Sequence, residues 1–218
     1  MHDLFEINAL QKLMDSLSAT LQVSICIRSP KWAKLTPGSS YCDFCRNIIR
    51  KSPIGKQHCK QSDLFLCVDS ATSPSFHHCP LTGITDVSIK ILIDNTHVAN
   101  LLIGQILLEE DVLSDEEYRA IARSLEINEN EYLENIRKIP VKTRQEFQNI
   151  LTTLTLIAEQ FCDFGYQNSR LKAVINSLEN RELLQRQELD MLEQLADRDP
   201  LTGLYNRRKF DNALIEFE

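Results

Sequence analysis

The chain has 218 residues, 43% of them hydrophobic and 25% charged, with a formal net charge of −7. That apolar content suits one packed domain with an appendage and argues against a largely disordered chain. The acidic balance leaves no excess of Lys and Arg to neutralise phosphates, so nucleic acid is not an expected partner.

The N-terminus, MHDLFEINALQKLMDSL, is amphipathic and acidic, unlike the basic and then apolar start of a secretory signal. The most apolar stretch, Val98 to Leu108, is about half the length of a membrane-crossing helix, so no membrane span is expected. A cytoplasmic location follows, where seven cysteines point to metal, redox chemistry or packing rather than disulfides.

A first helix is expected from Asp3 to about Thr20, opened by an Asp3/Glu6 capping box, with Leu4, Ile7, Leu10, Leu13 or Met14, Leu17 and Leu21 along one side. Val23 to Arg28, VSICIR, has the composition of a short strand, stopped by Ser29-Pro30. Lys31 to Pro80 is cysteine-rich and broken by turns. From Asp86 to Asp94, Val87, Ile89, Ile91 and Ile93 recur at period two; Asp94-Asn95-Thr96 can turn the chain and His97 to Glu109 can return antiparallel. The returning strand is apolar at almost every residue, which places it in the middle of a covered sheet.

Beyond it the chain is helical. Ser114/Glu117 and Thr143/Glu146 have capping-box spacing, and the acidic run Glu109 to Glu117 suits a solvated helix N-terminus. From Phe147 an apolar pattern runs through Ile150, Leu151, Leu154, Ile157, Ala158 and Phe161, then past Gly165 almost to Asp197. Its far half alternates four and three: Leu171, Ile175, Leu178, Glu182, Gln185, Leu189, Leu192 and Ala196. This is a coiled-coil seam weakened midway by Glu182 and Gln185, so a homodimer through helix 166–196 is the expected assembly.

The cysteines are the unusual chemistry. Cys42 and Cys45 form a C-x-x-C pair, followed by Cys59, Cys67 and Cys79, with His58, His77 and His78 adjacent. Cys42, Cys45, Cys59 and Cys79 are candidate ligands of a zinc ion or an iron–sulfur cluster, with Cys67 as an alternative member. Redox-active thiols beside histidines are a second reading. Small buried hydrophobes are the third, and the one given to Cys26 and Cys162. Trp32, the only tryptophan, is a candidate pocket floor or a core residue. Gln105 interrupts an apolar strand, and a buried amide needs a partner: a ligand hydroxyl or a backbone group.

YCDFCRNIIRKSPIGKQHCKQSD and HHCPLTGITDVSIKILIDNTHVANLLIGQ resemble the PocR family of sensory domains, a similarity running from about Leu4 to Phe164. The resemblance implies a PAS- or GAF-like α+β domain, an antiparallel sheet flanked by helices, that senses small hydrocarbon derivatives such as alcohols or diols. Cys45, Cys59, Asp86, Gly104 and Gln105 match by position. Cys79 lies four residues before Gly83, one more than the family's spacing, with Pro80 between them. With Trp32 and Cys79 added, the candidate ligand-binding set is Trp32, Cys45, Cys59, Cys79, Asp86 and Gln105.

DPLTGLYNRRKF, Asp199 to Phe210, resembles the N-terminal signature of GGDEF domains, the diguanylate cyclases. That family joins two GTP molecules into cyclic di-GMP with Mg, using residues downstream of this signature. None of those residues stands before Glu218, so no catalytic residue is assigned, and the chain alone is not expected to be an enzyme. The expected organisation is a PocR-like sensory domain over 1–165, a coiled-coil signalling helix over 166–196 and the start of a GGDEF domain over 197–218. The expected function is the sensory region of a diguanylate cyclase. The alternatives are a thiol sensor or oxidoreductase using Cys42 and Cys45, and a ligand-free dimerisation scaffold.

Overall fold

In the computed structural model, which describes residues 7–69 and 73–216, a five-stranded sheet organises the unit Met1–Gln167. Its main path is β1 (Ser24–Arg28), β4 (Thr96–Leu108), β3 (Ile84–Ile93) and β2 (Ser75–His78), all antiparallel. The two-residue β5 (Val141–Lys142) pairs parallel with the end of β4. The expected hairpin is present, closed by Asp94 and Asn95 at φ 50 and 58, the left-handed pair that matches strand twist. β4 lies between β1 and β3, which explains its nearly continuous apolar sequence.

Period-two alternation sorts the sheet into two faces. Ile25 and Ile27 of β1, Val87, Ile89 and Ile91 of β3, and Ala99, Leu101 and Ile103 of β4 face one side. There they pack on Leu10 and Met14 of α1 (Ile7–Leu21) and on Phe147, Ile150, Leu151, Leu154, Ala158 and Phe161 of α6 (Arg144–Asp197). Each of the larger side chains among them contributes about 1.5–3 kcal/mol by leaving water. The Asp3/Glu6 capping box lies outside the described residues. The Thr143/Glu146 box is made, with Glu146 Oε2 accepting from Thr143 N at 2.8 Å and Thr143 Oγ1 accepting from Glu146 N at 3.2 Å. Ser114 and Glu117 do the same at the start of α4 (Asp115–Ser124).

The turn-broken middle holds more regular structure than its sequence suggests: α2 (Asp43–Asn47), a 3₁₀ turn at Ile49–Lys51, α3 (Pro53–Leu64), a π turn at Phe65–Asp69, and β2. α3 starts where Ser52 Oγ accepts from Gly55 N at 3.3 Å and Pro53 takes the first position. A second apolar cluster joins Phe44, Ile48 and Ile49 to Ile84, Leu107 and the residues of α4 and α5 (Glu129–Ile136), with Tyr132 at its centre. Phe44 meets Tyr132 edge-on at 5.0 Å, and the Tyr132 hydroxyl donates to the Leu81 carbonyl.

In the unit Asn168–Glu218, Leu171, Leu178 and Leu192 of α6 are 59%, 58% and 55% exposed. After the helix, Asp199 Oδ1 accepts from Leu201 N at 3.1 Å, Thr202 N at 2.9 Å and Thr202 Oγ1 at 2.9 Å. Gly203 takes φ 72, Asn206 N donates to Asp197 O at 2.8 Å, and Lys209 Nζ pairs with Asp197 Oδ2 at 2.8 Å. The Asp-Pro-Leu-Thr-Gly run is thus a hydrogen-bonded elbow between α6 and α7 (Arg207–Glu216). Among the described residues no helix is long and apolar enough to cross a membrane.

Candidate ligand-binding site

The second face of the sheet is polar where the first is apolar. Ser24, Cys26 and Arg28 of β1 lie beside Leu102 and Gly104 of β4 and Asp86 of β3, and all six line one cavity of about 80 Å³. The opposite wall is the cysteine-bearing segment: Cys45 from α2, Arg50, and Cys59, Ser62 and Asp63 from α3. On the scale where one water needs about 10–15 Å³, this is room for a molecule of several heavy atoms.

A β-bulge shapes the floor. Thr85 pairs with Ile106 and Val87 with Ile103, so Asp86 alone faces both Gly104 and Gln105. Gln105 adopts φ 61, and the extra residue switches the core-facing set of β4 from Leu101 and Ile103 to Ile106 and Leu108. Asp86 Oδ1 accepts from Gln105 N at 2.9 Å. A Cβ on residue 104 would lie 1.8 Å from that same oxygen, so only glycine lets the carboxylate in. The Gln105 side chain then reaches outward, and its Oε1 accepts from Cys42 N at the start of α2. One residue ties the cavity floor to the cysteine segment.

Burial pushes the Asp86 carboxyl up to about 7, partly opposed by the Gln105 amide. The Cys42 thiol is lowered to about 7, first by the hydrogen bond from Cys45 and then by backbone amides, while Cys45 is raised by the same contact and by burial. Burial lifts Cys59 to about 11. Arg50 Nη2 holds Asp63 Oδ2 at 2.9 Å, and the Arg28 guanidinium sits 4.1 Å from the centre of the Trp32 ring.

All six residues of the candidate ligand set, Trp32, Cys45, Cys59, Cys79, Asp86 and Gln105, line this one cavity. Of the four thiols considered for metal, Cys45, Cys59 and Cys79 line it, whereas Cys42, hydrogen-bonded to Cys45, lines an adjoining open groove with Ser40, Asp43 and Lys138. Among the described residues no group of three or more His, Cys, Asp or Glu is placed to hold a metal ion. Cys67 is buried away from the cavity lining, its carbonyl accepting from Asn100 Nδ2 at 3.3 Å. Cys162 meets the Leu92 amide at 3.3 Å on the helix side of the sheet, and Cys26 lines the cavity rather than the core. His58 is exposed, His77 tilts against Phe65 at 5.8 Å, and His78 lies 3.7 Å from Asp111; none lines the cavity.

Sequence reasoning missed Arg28, Tyr41, Arg50 and Asp63. Alternation along VSICIR carried a signal for Arg28, since it shares parity with Ser24 and Cys26 opposite Ile25 and Ile27. The Arg50–Asp63 pair spans the length of α3 and has no local sequence mark.

The profile of the sensory domain found in PocR matches residues 3–166, three quarters of the chain. The chain belongs to the PocR sensory-domain family. No curated protein and no solved structure matches it. The matched span contains the sheet, the α2–α3 segment and the whole cavity, so the site is part of the PocR domain itself.

Proposed function

We propose that this PocR domain is the cytoplasmic sensor of a diguanylate cyclase, binding a small organic molecule in the cavity between the sheet and α3. One observation carries this reading: Asp86, Gln105, Trp32 and four cysteines, Cys26, Cys45, Cys59 and Cys79, line one cavity in a domain of a sensory family. Apolar walls from Leu66, Ile84, Val87 and Leu102 suit a short carbon chain, and the polar groups suit one or two oxygen functions at its end. Because no group of three or more His, Cys, Asp or Glu among the described residues is placed to hold a metal ion, a small molecule is the preferred occupant over zinc or an iron–sulfur cluster.

Transmission would run through α6. The exposed apolar stripe from Leu171 to Leu192 supports pairing with a second copy, and the likeness of Asp199 to Phe210 to the GGDEF opening supports a cyclase as the output. Two facing GGDEF domains form one cyclic di-GMP, so a ligand that favours one helix arrangement would change the rate. By itself this chain carries no cyclase chemistry in the proposal.

Thermal shift of the purified chain against short alcohols, diols, aldehydes and acids tests the binding claim. A stabilising compound whose effect is lost in Ser24→Trp, which fills the cavity, is expected. Stabilisation unchanged in that variant would remove this site. Light scattering should give twice the protomer mass, and a protomer mass would remove the paired-helix part.

A second reading rests on the Cys42–Cys45 contact. Cys42 has the acidified thiol of an attacking cysteine and Cys45 the raised thiol of a resolving one. In a thiol sensor, a peroxide would take two electrons from the pair, leaving as water and an alcohol while the disulfide forms.

A further inference from the structure

We propose that the occupant of this cavity is a small organic acid, its carboxylate held by Arg28 with Arg50 beside it. This names the chemical class for the binding site proposed above and rests on that reading.

Arg28 ends β1 on the polar face, stacked on Trp32 at 4.1 Å, and lines the cavity. Among the described residues no carboxylate lies within ion-pair distance of it, and its Nε is buried with no hydrogen-bond partner. Arg50 lines the same cavity; its Nη2 is engaged by Asp63 at 2.9 Å, yet its Nε is likewise buried and unpartnered. Two guanidinium groups therefore share one paired carboxylate. The other acid on the wall, Asp86, is turned to the Gln105 amide.

A half-buried cation that must share its one counter-charge with a second cation is costly, and a buried N–H without an acceptor adds to the cost. A ligand carboxylate relieves both at once, because the guanidinium fork meets its two oxygens with parallel bonds. A neutral hydroxyl offers an acceptor and no charge. The apolar side chains of Leu66 and Leu102 line the same space and suit the carbon end of such an acid.

Calorimetric titration of the whole chain decides it, with sodium propionate, butyrate and lactate set beside 1-propanol, 1-butanol, 1,2-propanediol and inorganic phosphate at matched ionic strength. An acid should bind about tenfold or more tightly than its matched alcohol. In Arg28→Gln that advantage should vanish, with Arg28→Lys keeping part of it. Alcohols or diols binding as well as acids, with the acid preference absent, overturns the inference and leaves the small-molecule site standing. Phosphate binding as tightly as every acid also overturns it, in favour of a general anion site. If no compound of either class binds, both readings fail together. The wild-type comparison of acid with alcohol stands even if the variants do not fold.

Discussion

Asp86→Asn separates the electrostatics of the bulge from its geometry. The carboxyl moves from its ordinary 3.8 to about 7 on folding, mainly because it leaves water. At 1.36 kcal/mol per pKa unit that lift costs about 4 kcal/mol once the group is fully ionised in both states. The folded protein holds the proton more tightly, so stability is greatest below the unfolded value and falls as pH rises towards about 7. Asparagine has the same shape, accepts from Gln105 N through its carbonyl, and has no proton to lose. Any fixed cost of the exchange is the same at every pH. Between about pH 5.5 and about pH 8 the variant should therefore gain about 2 kcal/mol on the wild type. Urea denaturation at the two pH values, followed by circular dichroism, measures this difference directly. A gap between the two proteins that stays constant, or narrows as pH rises, would refute the claim that burial dominates at Asp86.

Gly104→Ala places a Cβ 1.8 Å from Asp86 Oδ1 and should destabilise by about 2–4 kcal/mol in the same denaturation, through overlap and loss of the Gln105 bond. Adding Asp86→Ala removes the overlap, so the double variant should be more stable than the sum of the singles predicts. Iodoacetamide labelling of Cys42, read by peptide mass spectrometry, should be half-maximal near pH 7, and Cys45→Ala should move it towards the ordinary thiol value of about 8.5. Protein purified anaerobically should carry zinc and iron well below one per chain and show no visible absorption; stoichiometric metal lost in Cys59→Ser would overturn the preference for a small molecule.

Much of the scaffold was legible because its signals are local. The period-two run from Val87 to Ile93, the apolar return strand and the two capping boxes each need only a few neighbouring residues. β2 was not legible, because Ser-Phe-His-His buries Ser75 while leaving Phe76 half exposed, the reverse of an ordinary strand pattern. The bulge was hidden as well: it appears in sequence only as Gly104-Gln105, and its cause lies across the ladder at Asp86. Within the site, the resemblance marked Cys45, Cys59, Asp86 and Gln105, and the fold brings them around one cavity. C-x-x-C spacing grouped Cys42 with them, but at the start of α2 that residue lines the neighbouring groove. Arg28 and Arg50 escaped notice because an arginine at a strand end, or before a helix, is ordinary until the cavity beside it is seen.

Hydrogen exchange with and without the tightest binder from the acid, alcohol and diol titrations tests the central claim most directly. The account predicts slowed exchange in peptides covering 41–66 and 102–107, together with a changed rate along 168–197. Binding that leaves those cavity peptides untouched, or protects a different surface, would contradict it.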